Sequence, residues 1–420
     1  MRPNHFLSAR IGILAMLCAL AVASSSAAQV SNEKVIYSFS AAPDGNLPES
    51  GLTFDVNGNL YGTTVIGGSY GLGTVFELKH TANGWTEAIL YSFTGHGDGV
   101  WPSSSVIFDK AGNLYGTTCS YIDYCGYGNV FMLTPDSHGG WTETVLYSFT
   151  GGDDGFNPQS DLVFDAQGNL FGTTVTTVFE LVPQANGTWK EVTLHHFSKV
   201  LFNGWGPFSG VVLDTSGNVW GTTQAGGVGN CEWTGSGCGV VYELSAGSDG
   251  KWKETVIYDF PRGGGRGVNP AAGFLLGKDG ELFGTTLGGG DGMGTVFELT
   301  QSQTGWEQHV LYRFYGYPDG ELPLGRLEMT SAGTLFGTTV YGGEYGYGTV
   351  FEVGPPKANG GRETVLHSFA AGSDGAYPFT GVISDLQGHL YGTTWKGGST
   401  ACADGGCGTV FEITLGGQEK

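Results

Sequence analysis

Charge is scarce in this chain: only 14% of its 420 residues are charged, and 18 Lys plus Arg face 39 Asp plus Glu. The resulting formal charge of −21 repels phosphate backbones and argues against nucleic-acid binding. Long apolar runs are nearly missing. The longest, residues 11–23, has thirteen residues and is too short for a stable membrane anchor. No segment carries a sustained helical period of apolar residues, which excludes a helical bundle. Catalytic signatures are missing too: there is no GxSxG, no HExxH and no phosphate loop. Glycine and aromatics, in contrast, are abundant, with 76 Gly, 19 Tyr, 25 Phe and 10 Trp. The aromatics supply ample material for a core.

The first residues read as an export leader. Arg2 and Arg10 precede the apolar run, and Ser26-Ala27-Ala28 ends it. Small residues at these positions suit cleavage after Ala28. Residues 1–28 are therefore expected to be a signal peptide, with residues 29–420 as the mature protein. Cys18 lies inside the apolar run behind Leu17, which rules out a lipid anchor there. No later stretch is apolar enough to span a membrane, and the end of the chain shows no sorting signal. A secreted protein, periplasmic or extracellular, is the expectation.

The remainder repeats itself. Gly-Thr-Thr recurs at Gly62, Gly116, Gly172, Gly221, Gly284, Gly337 and Gly392, at intervals near 55 residues. Around each copy runs one sentence: VLYSF, DGxxP, LxFDxxGNLYGTT, GGxxGxGTVFEL, GWTET. Each unit holds four short runs rich in β-branched and aromatic residues, separated by Gly, Asn and Asp turns. Four antiparallel strands, seven times, without helices, predict an all-β, seven-bladed β-propeller. The phase predicts how the ring closes. Residues 35–39 form a fourth-strand sentence with no blade before it, and residues 409–413 a third strand with no fourth after it. The N-terminal strand should complete the last blade and hide two open edges.

Repetition also assigns roles. The Asp of LxFDxxGN (Asp55, Asp109, Asp165, Asp214, Asp385) reads as a turn former rather than a metal ligand. One DGxxP aspartate in each of five blades (Asp44, Asp98, Asp154, Asp319, Asp374), with Asn203-Gly204 and Arg266-Gly267 in blades four and five, is too sparse for calcium, which wants six to eight oxygens. The TVFEL glutamates read as hydrogen-bond partners or solvated strand residues, and the GWxE tryptophans as packing between blades. His195 and His196 stand where other blades have Tyr-Ser and read as structural. No metal or cofactor is expected.

Six cysteines follow the leader in three local pairs, Cys119/Cys125, Cys231/Cys238 and Cys402/Cys407, each between second and third strands. Even number, local spacing and export predict three intraloop disulfides. Two thiolates without a nearby His cannot complete a zinc site.

The sentence GNLYGTT, GGxxGxGTVFEL, ETVLYSFTGG resembles the GloVer repeat, found in tandem in exported bacterial proteins. The resemblance spans about residues 34–413. It implies an extracellular or envelope location and no particular activity. Relatives often carry a C-terminal anchor; this chain shows none, so release is the expectation.

A ligand is expected on the face that carries the DGxxP and Gly-rich loops. Blade three lacks the Gly-rich loop: Gly172-Thr173-Thr174-Val175-Thr176-Thr177 runs straight on. The notch should be walled by the Cys-clamped loops of blades two and four. Tyr121, Asp123, Tyr124, Tyr127, Glu232 and Trp233 sit on those walls, with Trp101 and Trp205 in adjacent loops. Such aromatics beside carboxylates suit stacking on sugar rings, or else simply pack the loops. Asp161 and Arg326 break the Ser/Gly pattern at the innermost strands, nearly across the ring. Two function classes remain open. One is a non-catalytic binding or envelope-scaffold protein, monomeric, whose partner is an extracellular glycan or an envelope protein. The other is a carbohydrate-active hydrolase or lyase using the same face, which would need converging carboxylates.

Overall fold

The Gly-Thr-Thr motif shows why this sequence builds blades. In blade one, Gly62 lies under the ring of Phe76, and a Cβ there would sit 2.7 Å from the ring. The next residue, Thr63, reaches into blade two and donates to the carbonyls of Pro102 and Ser104 at 3.2 and 3.1 Å. Thr64 pairs with Thr74 of the neighbouring strand, oxygen to oxygen, at 2.7 Å. One residue thus admits the core aromatic, one links blades, and one locks the hairpin. The pattern recurs around the ring, with Thr173 on Ser209 and Thr393 on Ser50 as blade-to-blade links.

The computed structural model describes residues 32–416 except 119–125, 199–202, 230, 232–236, 262–264, 290–291, 356–362, 386 and 403–404. Seven antiparallel blades of four strands form the β-propeller. Blade one is typical, with strands Thr53–Phe54, Leu60–Thr64, Thr74–Thr81 and Gly84–Ser92. Blade five gains an extra strand, Gly267–Pro270, from its DG loop. Apart from the strands, the described regular structure is one 3₁₀ turn, Gly372–Asp374. No described helix is long and apolar enough to cross a membrane.

Ring closure follows the phase of the repeat. The N-terminal strand Asn32–Ser38 pairs antiparallel with Thr409–Thr414 and becomes the fourth strand of blade seven. The core is distributed between blades. Phe39, Leu52, Phe76, Tyr391 and Val410, for instance, form one cluster drawn from blades seven and one. The tryptophans add to this packing: Trp85 lies 6.0 Å from Tyr391 and Trp189 6.2 Å from Tyr115, ring to ring across blades. The turn aspartates do what turn formers do. Asp55 accepts from the backbone N–H of Asn57 and Asn59 and from the Asn59 side chain, each within 2.8 Å. These bonds hold its carboxyl below the usual range against the opposing effect of burial.

Candidate functional site

The DG loops carry the chain from one blade to the next and open the loop face. The residue before each loop proline takes a left-handed conformation: Leu47, Trp101, Asn157, Asn269, Leu322 and Tyr377 have φ between 51° and 59°. Their N–H groups donate to the Gly-rich loop of the preceding blade, as Trp101 does to Leu72 at 2.9 Å and Tyr377 to Tyr347 at 2.8 Å. The two loop families are therefore stitched into one continuous rim.

Beneath each DG loop lies a joint that the sequence reading missed. At four of them a fourth-strand Tyr donates to the loop Asp, and a Glu from the next blade's fourth strand comes beside them, whereas blade five has Tyr258, Arg266 and Gln308. The Tyr–Asp bonds are 3.0 Å for Tyr37–Asp44, 2.9 Å for Tyr91–Asp98, 3.0 Å for Tyr147–Asp154 and 2.9 Å for Tyr312–Asp319. Burial, then the neighbouring Asp, pushes the partner glutamates up: Glu87 and Glu143 to about 7 and Glu363 to about 8. Blade four changes the joint to His195, Asn203 and Glu254, joined by 3.0 Å bonds from the Asn203 amide. Burial, helped by His196, lowers His195 to about 4, so it meets Glu254 as a neutral ring. Its structural reading holds. The missed signal was a Glu two residues after the tryptophan in repeats one to four (Glu87, Glu143, Glu191 and Glu254), matched by Gln308 in repeat five and by Glu363, without the tryptophan, in repeat six.

The central cavity, about 490 Å³, is lined by the first strands and the segments leading into them. Small residues dominate: Ser103, Ser160, Ser209, Gly210, Ala272 and Gly381. Asp161 and Arg326 both line it, on blades three and six. Asp161 belongs to this cavity, where it accepts the Ser105 N–H at 2.8 Å. Glu328 also lines the cavity but is bonded to the Ser384 hydroxyl. No His, Lys, Tyr or Cys is among the described lining residues.

At the expected notch blade three turns back without a Gly-rich loop, while residues 119–125 and 232–236 of the loops expected to wall it lie outside the described residues. Thr174 and Thr177 close a tight turn, with Thr174 N–H on the Thr177 carbonyl at 2.9 Å and Thr177 N–H on the Thr174 hydroxyl at 3.0 Å. Of its expected aromatics, Tyr127 is 39% exposed and lies over Gly151. Trp101 and Trp205 are half-buried; Trp205 bonds the Ala225 backbone in both directions and its ring lies 6.3 Å from Phe208. Tyr121, Asp123, Tyr124, Glu232 and Trp233 lie outside the described residues, as do Cys119 and Cys125. The other two cysteine pairs are disulfides, Cys231–Cys238 and Cys402–Cys407.

A second aromatic surface stands on blade six. Tyr315 and Tyr317 on its DG loop are 60% and 75% exposed, and Tyr341 and Tyr345 on its Gly-rich loop 42% and 53%. A cleft of about 640 Å³ runs between Tyr317 and Tyr345, bordered by Glu344 and His367. Tyr377 backs this surface, 5.5 Å from Tyr341 and 5.6 Å from Tyr347, and is followed by Trp395 with Lys396 Nζ 4.5 Å above its ring. The sequence reading passed over these tyrosines because they sit in intact repeats.

Among solved structures, the chain is similar to a virginiamycin B lyase from Staphylococcus aureus: 12% identity, TM-score 0.56, with 92% of this chain and 99% of that one covered. It is similar to a streptogramin B lyase at 16% identity and TM-score 0.55, covering 92% and 98%. The extracellular domain of a putative hybrid two-component system from B. thetaiotaomicron aligns at 15% identity and TM-score 0.55, covering 93% of this chain and 43% of that one. At such identities the likeness is one of fold. No curated protein matches the chain in sequence. The repeat itself is diagnostic: matches over residues 24–235 and 232–420 place the chain in the Gloeobacter/Verrucomicrobia repeat family.

Proposed function

We propose that the protein is an exported, non-catalytic β-propeller that binds carbohydrate through its loop face. The observation that carries this reading is the placement of the exposed tyrosines. Six tyrosines rank among the exposed large hydrophobic side chains, and Tyr70, Tyr127, Tyr315, Tyr317, Tyr341 and Tyr345 all lie on DG or Gly-rich loops. Four of them belong to blade six. A flat ring with a hydroxyl at its edge offers an apolar face to a sugar and a polar tip to its hydroxyls. The open cleft between Tyr317 and Tyr345 suits a chain lying across the rim rather than a small molecule enclosed in a pocket. The acidic surface disfavours anionic polymers, so the expected ligand is a neutral or basic glycan. The described disulfides fit an oxidising compartment, in line with cleavage of a leader after Ala28.

A hydrolytic or lyase reading would need carboxylates converging on one point. The two in the cavity, Asp161 and Glu328, stand on blades three and six and are each engaged by a serine. A glycan array probed with the mature protein tests the proposal. Binding that Tyr317→Ala/Tyr345→Ala removes supports it. Binding retained by that variant but lost on Trp101→Ala/Trp233→Ala moves the site to the notch, and no glycan bound by the folded protein overturns it.

A further inference from the structure

The joint that closes the ring has a composition found at no other joint. Where four joints carry Tyr, Asp and Glu, the seam carries His367, Asp374 and Glu33. The three residues come from three segments. His367 lies on the fourth strand of blade six, Asp374 in the loop leading to blade seven, and Glu33 on the N-terminal strand that completes blade seven. His367 Nε2 is 3.1 and 3.2 Å from the two Asp374 oxygens. One ligand atom from each residue falls within 4.8 Å of the other two. Glu33 Oε1 is buried and has no hydrogen-bond partner, as holds for Glu87, Glu143, Glu254 and Glu363 at other joints; only here, among the described residues, does a histidine with a second carboxylate face it.

We propose that His367, Asp374 and Glu33 form a divalent transition-metal site that fastens the N-terminal strand to blade six. One imidazole nitrogen and two carboxylate oxygens make a donor set for Zn²⁺ or Mn²⁺. It has too few oxygens for Ca²⁺ and too soft a nitrogen for Mg²⁺. Metal–ligand bonds of about 2.0–2.1 Å around a tetrahedral ion would place the donor atoms a little over 3 Å apart, close to the His–Asp spacing here. Bound metal would occupy the orphaned Glu33 oxygen and offset the repulsion between two neighbouring carboxylates. Three protein ligands leave a position open, and His367 borders the cleft of Tyr317 and Tyr345.

The ring contains its own controls. A tyrosine is tolerated at the equivalent position in five joints, so His367→Tyr restores the common joint and should fold. The other histidine joint pairs His195 with Asn203 and a single carboxylate, Glu254, at 3.6 Å, and should not bind.

The test is titration of chelator-treated mature protein with ZnCl₂ and, separately, MnCl₂ by calorimetry, alongside thermal unfolding. Co²⁺ absorption serves as a signature of nitrogen and oxygen ligation. The expected result is one equivalent of metal bound by the wild type, with a rise in Tm that grows with metal concentration. His367→Tyr should fold without binding, and Glu33→Gln should weaken binding at least about tenfold. Wild-type protein that takes up no metal at about 1 mM overturns the proposal. Equal stoichiometry in wild type and His367→Tyr also overturns it, since the metal would then sit on another histidine. Should His367→Tyr fail to fold, unchanged affinity in Glu33→Gln overturns it in the same way. Glycan-array results do not bear on this outcome, which stands apart from the carbohydrate reading.

Discussion

Blades three and six are built on the same frame and present opposite surfaces. In both, a glycine admits a core phenylalanine, Gly172 under Phe179 and Gly337 under Phe351. In both, paired threonines lock the inner hairpin at 2.8 Å. Above that frame, blade three turns back within two residues, whereas blade six raises a glycine-rich loop bearing three tyrosines. The joints below also differ. Glu191 of blade three takes a 2.8 Å bond from the Thr193 hydroxyl. Glu363 of blade six keeps a buried, unpartnered oxygen beside Asp319 and is pushed up to about 8. The repeat thus fixes packing while leaving loops and joint chemistry free to diverge.

The largest expected effect lies on the loops. Removing both Tyr317 and Tyr345 should lower affinity for a glycan found on the array by about 1–3 kcal/mol per ring, read by calorimetry. Trp101→Ala at the rim of the notch should change it little. The reverse ranking would transfer the site from blade six to blade three.

Next comes the frame, where the two blades should behave alike. Gly172→Ala and Gly337→Ala each push a methyl into a buried ring, and each should cost about 1–3 kcal/mol in chemical denaturation. A large difference between them would show that the blades are not mechanically equivalent.

The joints should separate the blades again, through pH. A glutamate whose folded pKa is raised contributes stability fully below its unfolded value near 4.5 and loses it as pH rises through the folded value. The Tm should therefore fall between pH 5 and pH 9, and Glu363→Gln should flatten that fall by roughly 2–4 °C after allowance for solvent screening. Gln308 already occupies the equivalent place in blade five, so the variant should fold. Glu191→Gln should flatten it less. Equal slopes in wild type and Glu363→Gln would show that this joint is not what titrates. At the acid end the sign reverses: Asp154, held low by its hydrogen bonds to Thr150 and Tyr147, loses its contribution as pH falls below the usual Asp range.

The smallest effect should come from the clamp beside the notch. Cys231–Cys238 closes a short loop, so its reduction should remove little chain entropy and leave circular dichroism nearly unchanged. Collapse of the fold on mild reduction would contradict a local role.

The amino-acid sequence by itself determined the seven blades, the closing strand, the described cysteine pairs and the aspartate turns. Each is written within one repeat or within a few residues of chain, where local pattern and backbone chemistry decide. The exposed tyrosines of blade six and the joints were not legible in that way. Tyr312, Asp319 and Glu363 are separated by 7 and 44 residues, and Glu33 meets His367 only because the ring closes. Whether a loop tyrosine is exposed, like Tyr317, or stacked among its neighbours, like Tyr377, depends on what the adjacent loops place against it. Period and propensity therefore specify the blades, while burial, and with it the protonation and availability of each side chain, is set by tertiary packing across their boundaries.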